Sequence, residues 1–304
     1  MGENSELMNG IKKNKNYMKI LITNDDGYKA KGINVLAEIM KECGDVTVVG
    51  PKYPQSGMSM AISIGFKQLA FKKLSCEEHL AWNYLDATPA TCVKFAMNMN
   101  LCGGCPDVIV SGINHGSNAS TAACYSGTLG AAEEAALNGI PAIGVSIDSH
   151  DPDADFSAIE HFFPEIFKAL MANYPTAYGI YYNINFPDLP ADKIKGIRVG
   201  YQGRGTWGKE FLTWEEAKRQ MADCPVTFGK AEERPGEEGE EMYMMRGEFI
   251  DNNDNTRDAD HLLVREGYIS IVAHRVDGTD YDEIARLRTL GIDMDFDVPP
   301  AYKE

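Results

Sequence analysis

In MKILITNDDG (residues 18–27) a short apolar run, Met18 to Thr23, is followed almost at once by two adjacent carboxylates, Asp25 and Asp26. A run this short and this apolar reads as a strand buried on both faces. Like charges at the end of a buried strand are costly unless something of opposite charge offsets them. Behind the pair, GINVLAEIMKEC (32–43) has the spacing of an amphipathic helix, and DVTVVGP (45–51) reads as a second strand.

The alternation continues along the chain. DATPATCVKFAMNMN (86–100) predicts a helix with Thr88 as cap and Pro89 in its first turn. PDVIVSG (106–112) is a strand, SGTLGAAEEAALNGI (126–140) an Ala-rich helix, and PAIGVSID (141–148) a strand again. FSAIEHFFPEIFKALMANY (156–174) predicts a helix despite Pro164, and GIYYNINFP (179–187) a further strand. Apolar strands alternating with helices predict an α/β fold, a Rossmann-like, doubly wound and mostly parallel sheet over residues 18–190. Beyond it, IKGIRVGYQGRGTWGKEFLTWEE (194–216) alternates as hairpin strands do, KAEERPGEEGEE (230–241) reads as a solvated acidic loop, and DADHLLVREGYISIVAHRVDGTD (258–280) as a helix then a strand. Residues 191–304 are expected to form a C-terminal extension, a β-hairpin or arm for oligomerisation, with part of it packing back on the core.

The totals limit what such a fold does. The 304 residues carry a formal charge of −16, which repels phosphate backbones and anionic bilayers and argues against a nucleic-acid scaffold or a membrane partner. No apolar run approaches the ~18 residues of a bilayer span. The polar leader, residues 1–17, lacks the apolar centre of a secretory signal and reads as a disordered extension, so the cytoplasm is the expected location. Seven scattered cysteines do not form a disulfide framework, and Cys102-x-x-Cys105 reads as a turn rather than half a metal site.

In open α/β sheets ligands bind outside the carboxyl ends of the strands. Asn24, Asp25, Asp26 and Gly27 follow the first strand; Ser56, Gly57 and Ser59 follow the second; Asn114, His115 and Asn118 follow PDVIV. The carboxylates with Ser56 and Asn114 form a hard oxygen donor set suited to Mg²⁺ or Mn²⁺. Taken one loop at a time, the same residues read as helix caps and turns. Ser126, Gly127 and Thr128 open a helix, where free amides and the positive dipole end favour an anion, or where a serine simply caps. His115 suits an acid, a base or a phosphate contact, and equally an exposed loop imidazole. Met58, Met60 and Tyr243-Met-Met245 read as packing, or at most as apolar lining for a base.

Some phosphoryl-handling families are excluded by residue. Gly27 stands where haloacid-type phosphatases need their second Asp, and Ser111 and Gly112 where receiver domains carry the accepting Asp. Taken in series, ILITNDDGYKAKGI, VVGPKYPQSGMSMAIS, DATPATCV, PDVIVSGINHGSNA, YSGTLGAAEEAALNGIPAIGVS and NINFP resemble the SurE family of 5′/3′-nucleotidases over residues 18–187. The resemblance implies a divalent-metal-dependent phosphatase of nucleoside monophosphates, with Mg²⁺ or Mn²⁺ on Asp25, Asp26, Ser56 and Asn114, and Asp25 and Asp26 serving catalysis. It implies phosphate contacts at Ser126, Gly127 and Thr128, with Asn118 nearby, and homodimers or homotetramers that exchange C-terminal segments. GYISIVAH (267–274) departs from the family's Thr-Pro pattern there. Short-chain polyphosphate cleavage at the same site, or a non-catalytic metal and nucleotide sensor, are the competing readings.

Overall fold

The computed structural model describes residues 17–65, 68–223 and 235–292. The leader to residue 16 and the first part of the acidic loop, 230–234, lie outside the described residues.

The chain begins with β1 (Met18–Thr23), α1 (Lys31–Lys41) and β2 (Gly44–Pro51), then the hairpin β3 (Phe71–Glu77) and β4 (Leu80–Leu85), and α2 (Pro89–Asn98). Next come β5 (Val108–His115), a 3₁₀ turn (Ser120–Tyr125), α3 (Gly127–Leu137), β6 (Ala142–Ile147), α4 (Ser157–Ala172) and β7 (Ile180–Phe186). The remainder comprises β8 (Ile197–Val199), β9 (Gly205–Gly208), β10 (Phe211–Thr213), α5 (Trp214–Asp223), β11 (Tyr243–Met245), β12 (Glu248–Asp251), α6 (Asp260–Arg265), β13 (Ile269–Arg275) and α7 (Tyr281–Arg288).

Nine strands form one sheet in the order β3-β4-β2-β1-β5-β6-β7-β13-β8. From β4 to β7 every neighbouring pair is parallel. At the edges, β3 lies antiparallel to β4 and β13 antiparallel to β7. The alternation along β1 shows why its residues must be apolar throughout: Ile20 and Ile22 enter one cluster with α1 and α4, and Leu21 enters the other with α2 and α3. On α4, Ile159, Phe163 and Phe167 turn inward across Pro164, and a fully buried side chain of this size contributes about 1.5–3 kcal/mol. The doubly wound expectation holds.

Three local expectations change. The β3–β4 hairpin has no counterpart in the sequence reading, because β3 is an exposed edge strand with lysines where a buried strand would be apolar. β5 does not stop at Gly112 but runs on to His115 after a break in its pairing with β6 between Ser111 and Asn114. Tyr243 and Met245 do not pack: they are 54% and 66% exposed, on a two-stranded ribbon of β10 with β11. Residues 101–105 form a turn, held by Lys19 Nζ donating to the Gly103 carbonyl at 2.6 Å. Among the described residues no helix is long and apolar enough to cross a membrane.

Beyond residue 190 the chain returns to the sheet through β13 and β8 and sends out a second ribbon, β9 paired with β12. Its anchor is Asp260, fully buried at the start of α6. That carboxylate accepts from the amides of Ser120 at 2.9 Å, Gly203 at 2.9 Å and His261 at 2.8 Å. Asp260→Ala leaves three amides without an acceptor at about 1 kcal/mol or more each, so a melting temperature lower by roughly 10 °C is expected. Calorimetry showing a shift within one degree of zero would remove Asp260 from this role.

Candidate active site

The strand order places the reversal between β1 and β5: from β1 the chain moves outward to β2 and β4, then returns to β5 on the other side of β1. A crevice opens at the carboxyl ends of strands at such a point. Asn24–Gly27 leave β1 there, and Asn114 and His115 end β5 beside them.

Asp25 is 3% exposed, and its Oδ1 accepts from the Thr128 hydroxyl at 2.6 Å. Its backbone carbonyl accepts from Gln55 N at 2.6 Å, which ties the loop after β2 to the loop after β1. Asp26 Oδ2 accepts from His115 N at 3.1 Å and lies 3.2 Å from His115 Nδ1. The three strand ends and the start of α3 therefore meet around the acidic pair.

Close approach to α3 depends on two glycines. A Cβ on Gly127 would sit 2.9 Å from Asp25 Cβ and 3.0 Å from its Oδ2, and one on Gly130 only 2.1 Å from the Ser59 carbonyl. The loop carrying Ser56 is held to the 3₁₀ turn that leads into α3 by Ser59 N donating to the Tyr125 carbonyl at 2.9 Å.

Burial, and next the negative charge of Asp26, push the Asp25 carboxyl up to about 7, against hydrogen bonds from Thr128 that act the other way. Asn24 Oδ1 is buried without a partner among the described residues. A carboxyl pushed upward by burial and by a like charge, next to an orphaned acceptor, is a cradle short of positive charge. Asn114 Nδ2 donates to the Gly116 carbonyl at 2.7 Å, leaving its Oδ1 to accept, and Ser56 is exposed. Among the described residues no three side chains drawn from His, Cys, Asp and Glu gather at one point. Here two carboxylates stand with amide and hydroxyl oxygens, a donor set whose chemistry fits a hard dication.

The other expected residues divide. Ser126 caps α3, its Oγ accepting from Leu129 N at 3.1 Å, while Thr128 commits its hydroxyl proton to Asp25. Asn118 sits in a buried amide network: its Nδ2 donates to Ser146 Oγ at 2.8 Å, and its N donates to Asn185 Oδ1 at 2.8 Å. Asn183 Nδ2 donates to the Asn118 carbonyl at 2.8 Å. Asn183 and Asn185 fall outside the strand-end pattern, yet two amides at i and i+2 on a buried strand share a face and signal a polar partner. His115 is 13% exposed, edge-on to Phe156 with ring centroids 5.4 Å apart, so it is not an exposed loop imidazole.

A doubly wound α/β sheet with hard oxygen donors facing a helix N-terminus across its switch point defines a class of phosphate-handling proteins. The profile of the family described as Survival protein SurE matches residues 20–209. The 5′-nucleotidase SurE of Christiangramia forsetii is 39% identical over 275 residues, spanning 90% of this chain and 97% of its own length. That of Cytophaga hutchinsonii is 38% identical over 268 residues, 88% of this chain and 95% of its own. The crystal structure of the SurE protein from Aquifex aeolicus matches with a TM-score of 0.69 and 27% identity, covering 90% of this chain and 99% of that one. The chain belongs to the SurE family.

Proposed function

We propose that the chain hydrolyses nucleoside 5′- and 3′-monophosphates to nucleoside and phosphate, using Mg²⁺ or Mn²⁺ held by Asp25, Asp26, Ser56 and Asn114. The observation that carries the proposal is the acidic pair, with Asp25 buried and Asp26 half-buried beside it, facing the start of α3 in a chain of this family. A bound dication supplies positive charge against the phosphoryl oxygens and lowers the pKa of the attacking water.

The protein's own groups do the rest. Gly127 and Thr128 present backbone amides and the positive end of the α3 dipole to the phosphate. Ser126 Oγ, which accepts from Leu129 N, keeps its own proton for a phosphate oxygen. Thr128 orients Asp25 instead, since its hydroxyl proton points there. Asp26 and His115, hydrogen-bonded to each other, stand at the edge of the crevice where a proton is to be moved. Asn118 contributes by fixing the loop between His115 and Ser126 to the sheet.

The proposal extends to a homodimer or homotetramer in the cytoplasm. Exposed Val199, Phe211 and Met245 on β8, β10 and β11, at 77%, 67% and 66%, support an interface between copies. The test is phosphate release from a panel of nucleoside monophosphates and from tripolyphosphate, with and without EDTA. Release from nucleotides that stops with EDTA and returns with Mn²⁺ is expected. Faster cleavage of tripolyphosphate favours the polyphosphate reading, and binding without release favours a sensor.

A further inference from the structure

The loop between His115 and Ser126 belongs to the phosphate site at both ends, through the His115 amide on Asp26 and the Ser126 cap on α3. Its middle faces elsewhere. Ser117 and Ser120 line a cavity of about 200 Å³, walled also by Asp148 and His150 beyond the end of β6 and by Trp207 and Phe249 from the β9–β12 ribbon. The cavity reaches the chain next to His115: the His150 ring lies so close to Gly116 that a Cβ there would sit 2.5 Å from it.

The aromatic wall is built into the ribbon. Trp207 and Phe249 are direct partners across the β9–β12 ladder, with ring centroids 5.6 Å apart at an interplanar angle of 69°. Asn255 ties the ends of the ribbon together, its Oδ1 accepting from Arg204 N at 2.8 Å and its Nδ2 donating to the Arg204 carbonyl and to Asp251 Oδ1, each at 2.6 Å. Trp207 is 37% exposed, so part of its ring stays open to solvent rather than packed away. A cavity of this volume falls below the ~300–1,000 Å³ of pockets for drug-sized ligands and suits a single ring system.

We infer that this cavity is the nucleobase subsite, an inference that rests on the nucleotidase reading above: the phosphate sits at the acidic pair and α3, and the base against Trp207 and Phe249. Stacking on an indole or a phenyl ring accepts any base, because every base presents a π-face. Ser117, Ser120, Asp148, His150 and His261 make up the polar part of the lining that faces the ring edge. Weak discrimination among bases follows.

The test compares a nucleoside monophosphate with ribose 5-phosphate, which carries the same phosphate and sugar but no base. In Trp207→Ala the ratio of kcat/KM for the nucleotide to that for ribose 5-phosphate is expected to fall roughly tenfold, the value of one base–aromatic stack. Trp207→Phe should keep most of the ratio, and an unchanged ratio in Trp207→Ala overturns the inference. Calorimetric binding of free adenosine needs no turnover: at least about tenfold weaker binding in Trp207→Ala supports the subsite. Equal binding by both proteins overturns it. Failure of the unsubstituted chain to hydrolyse either phosphate ester sinks the nucleotidase reading, and the adenosine measurement still decides the cavity.

Discussion

Asp25→Asn is expected to lower kcat on a nucleoside monophosphate by at least about a thousandfold while raising the melting temperature of the metal-free protein. The two halves of this expectation come from one geometry. Asp25 is almost wholly buried, and its neighbour Asp26 is the second-largest cause, after burial itself, of its raised pKa. Asn has the same shape, retains an oxygen to accept from Thr128 Oγ1, and removes both the desolvation cost and the repulsion. It also removes the charge that would hold a dication, and with it the charge opposite the phosphate. A residue whose loss stabilises the fold and abolishes turnover serves chemistry rather than architecture. Near-normal kcat in Mn²⁺ would sink the assignment, and a melting temperature several degrees lower would make Asp25 a structural carboxylate.

Much of this site is visible in the chain, for reasons that differ by residue. The parallel core strands are legible because burial on both faces demands near-continuous apolar runs, as at Ile20 to Ile22. The acidic pair is legible because like charges behind such a run need an explanation. The β3–β4 hairpin is not, since Phe71–Glu77 is exposed at nearly every position and carries no period. Thr128 is half legible: its place at the start of α3 can be read, but the direction of its hydroxyl depends on Asp25, 103 positions away in sequence. Asn114 belongs to the end of β5 only because the ladder with β6 breaks between Ser111 and Asn114, where Gly112 adopts φ 142°. The aromatic pair of the ribbon pairs β9 with β12, strands separated by a long excursion, and local pattern says nothing of that register.

Metal affinity is expected to rise steeply with pH up to about 7 and then level off. In the metal-free native state the Asp25 carboxyl titrates near 7, whereas in the unfolded chain it titrates near its ordinary value of 3.8. Between those values the native state holds a proton that the unfolded state has lost, so this group's contribution to stability falls as pH rises through the window. A dication must displace the same proton to bind. Its apparent dissociation constant for Mn²⁺ should therefore rise about tenfold for each pH unit below 7 and stay flat above it. The stabilisation conferred by a fixed Mn²⁺ concentration should accordingly be larger at pH 8 than at pH 5.5. In Asp25→Asn the slope should vanish, and the gain in metal-free melting temperature over the unsubstituted protein should be greater at pH 8 than at pH 5.5. Isothermal titration with Mn²⁺ and melting curves at the two pH values measure both. A dissociation constant that is the same at pH 5.5 and 8, with an Asp25→Asn melting difference that is also constant, would mean that no proton on Asp25 competes with the cation.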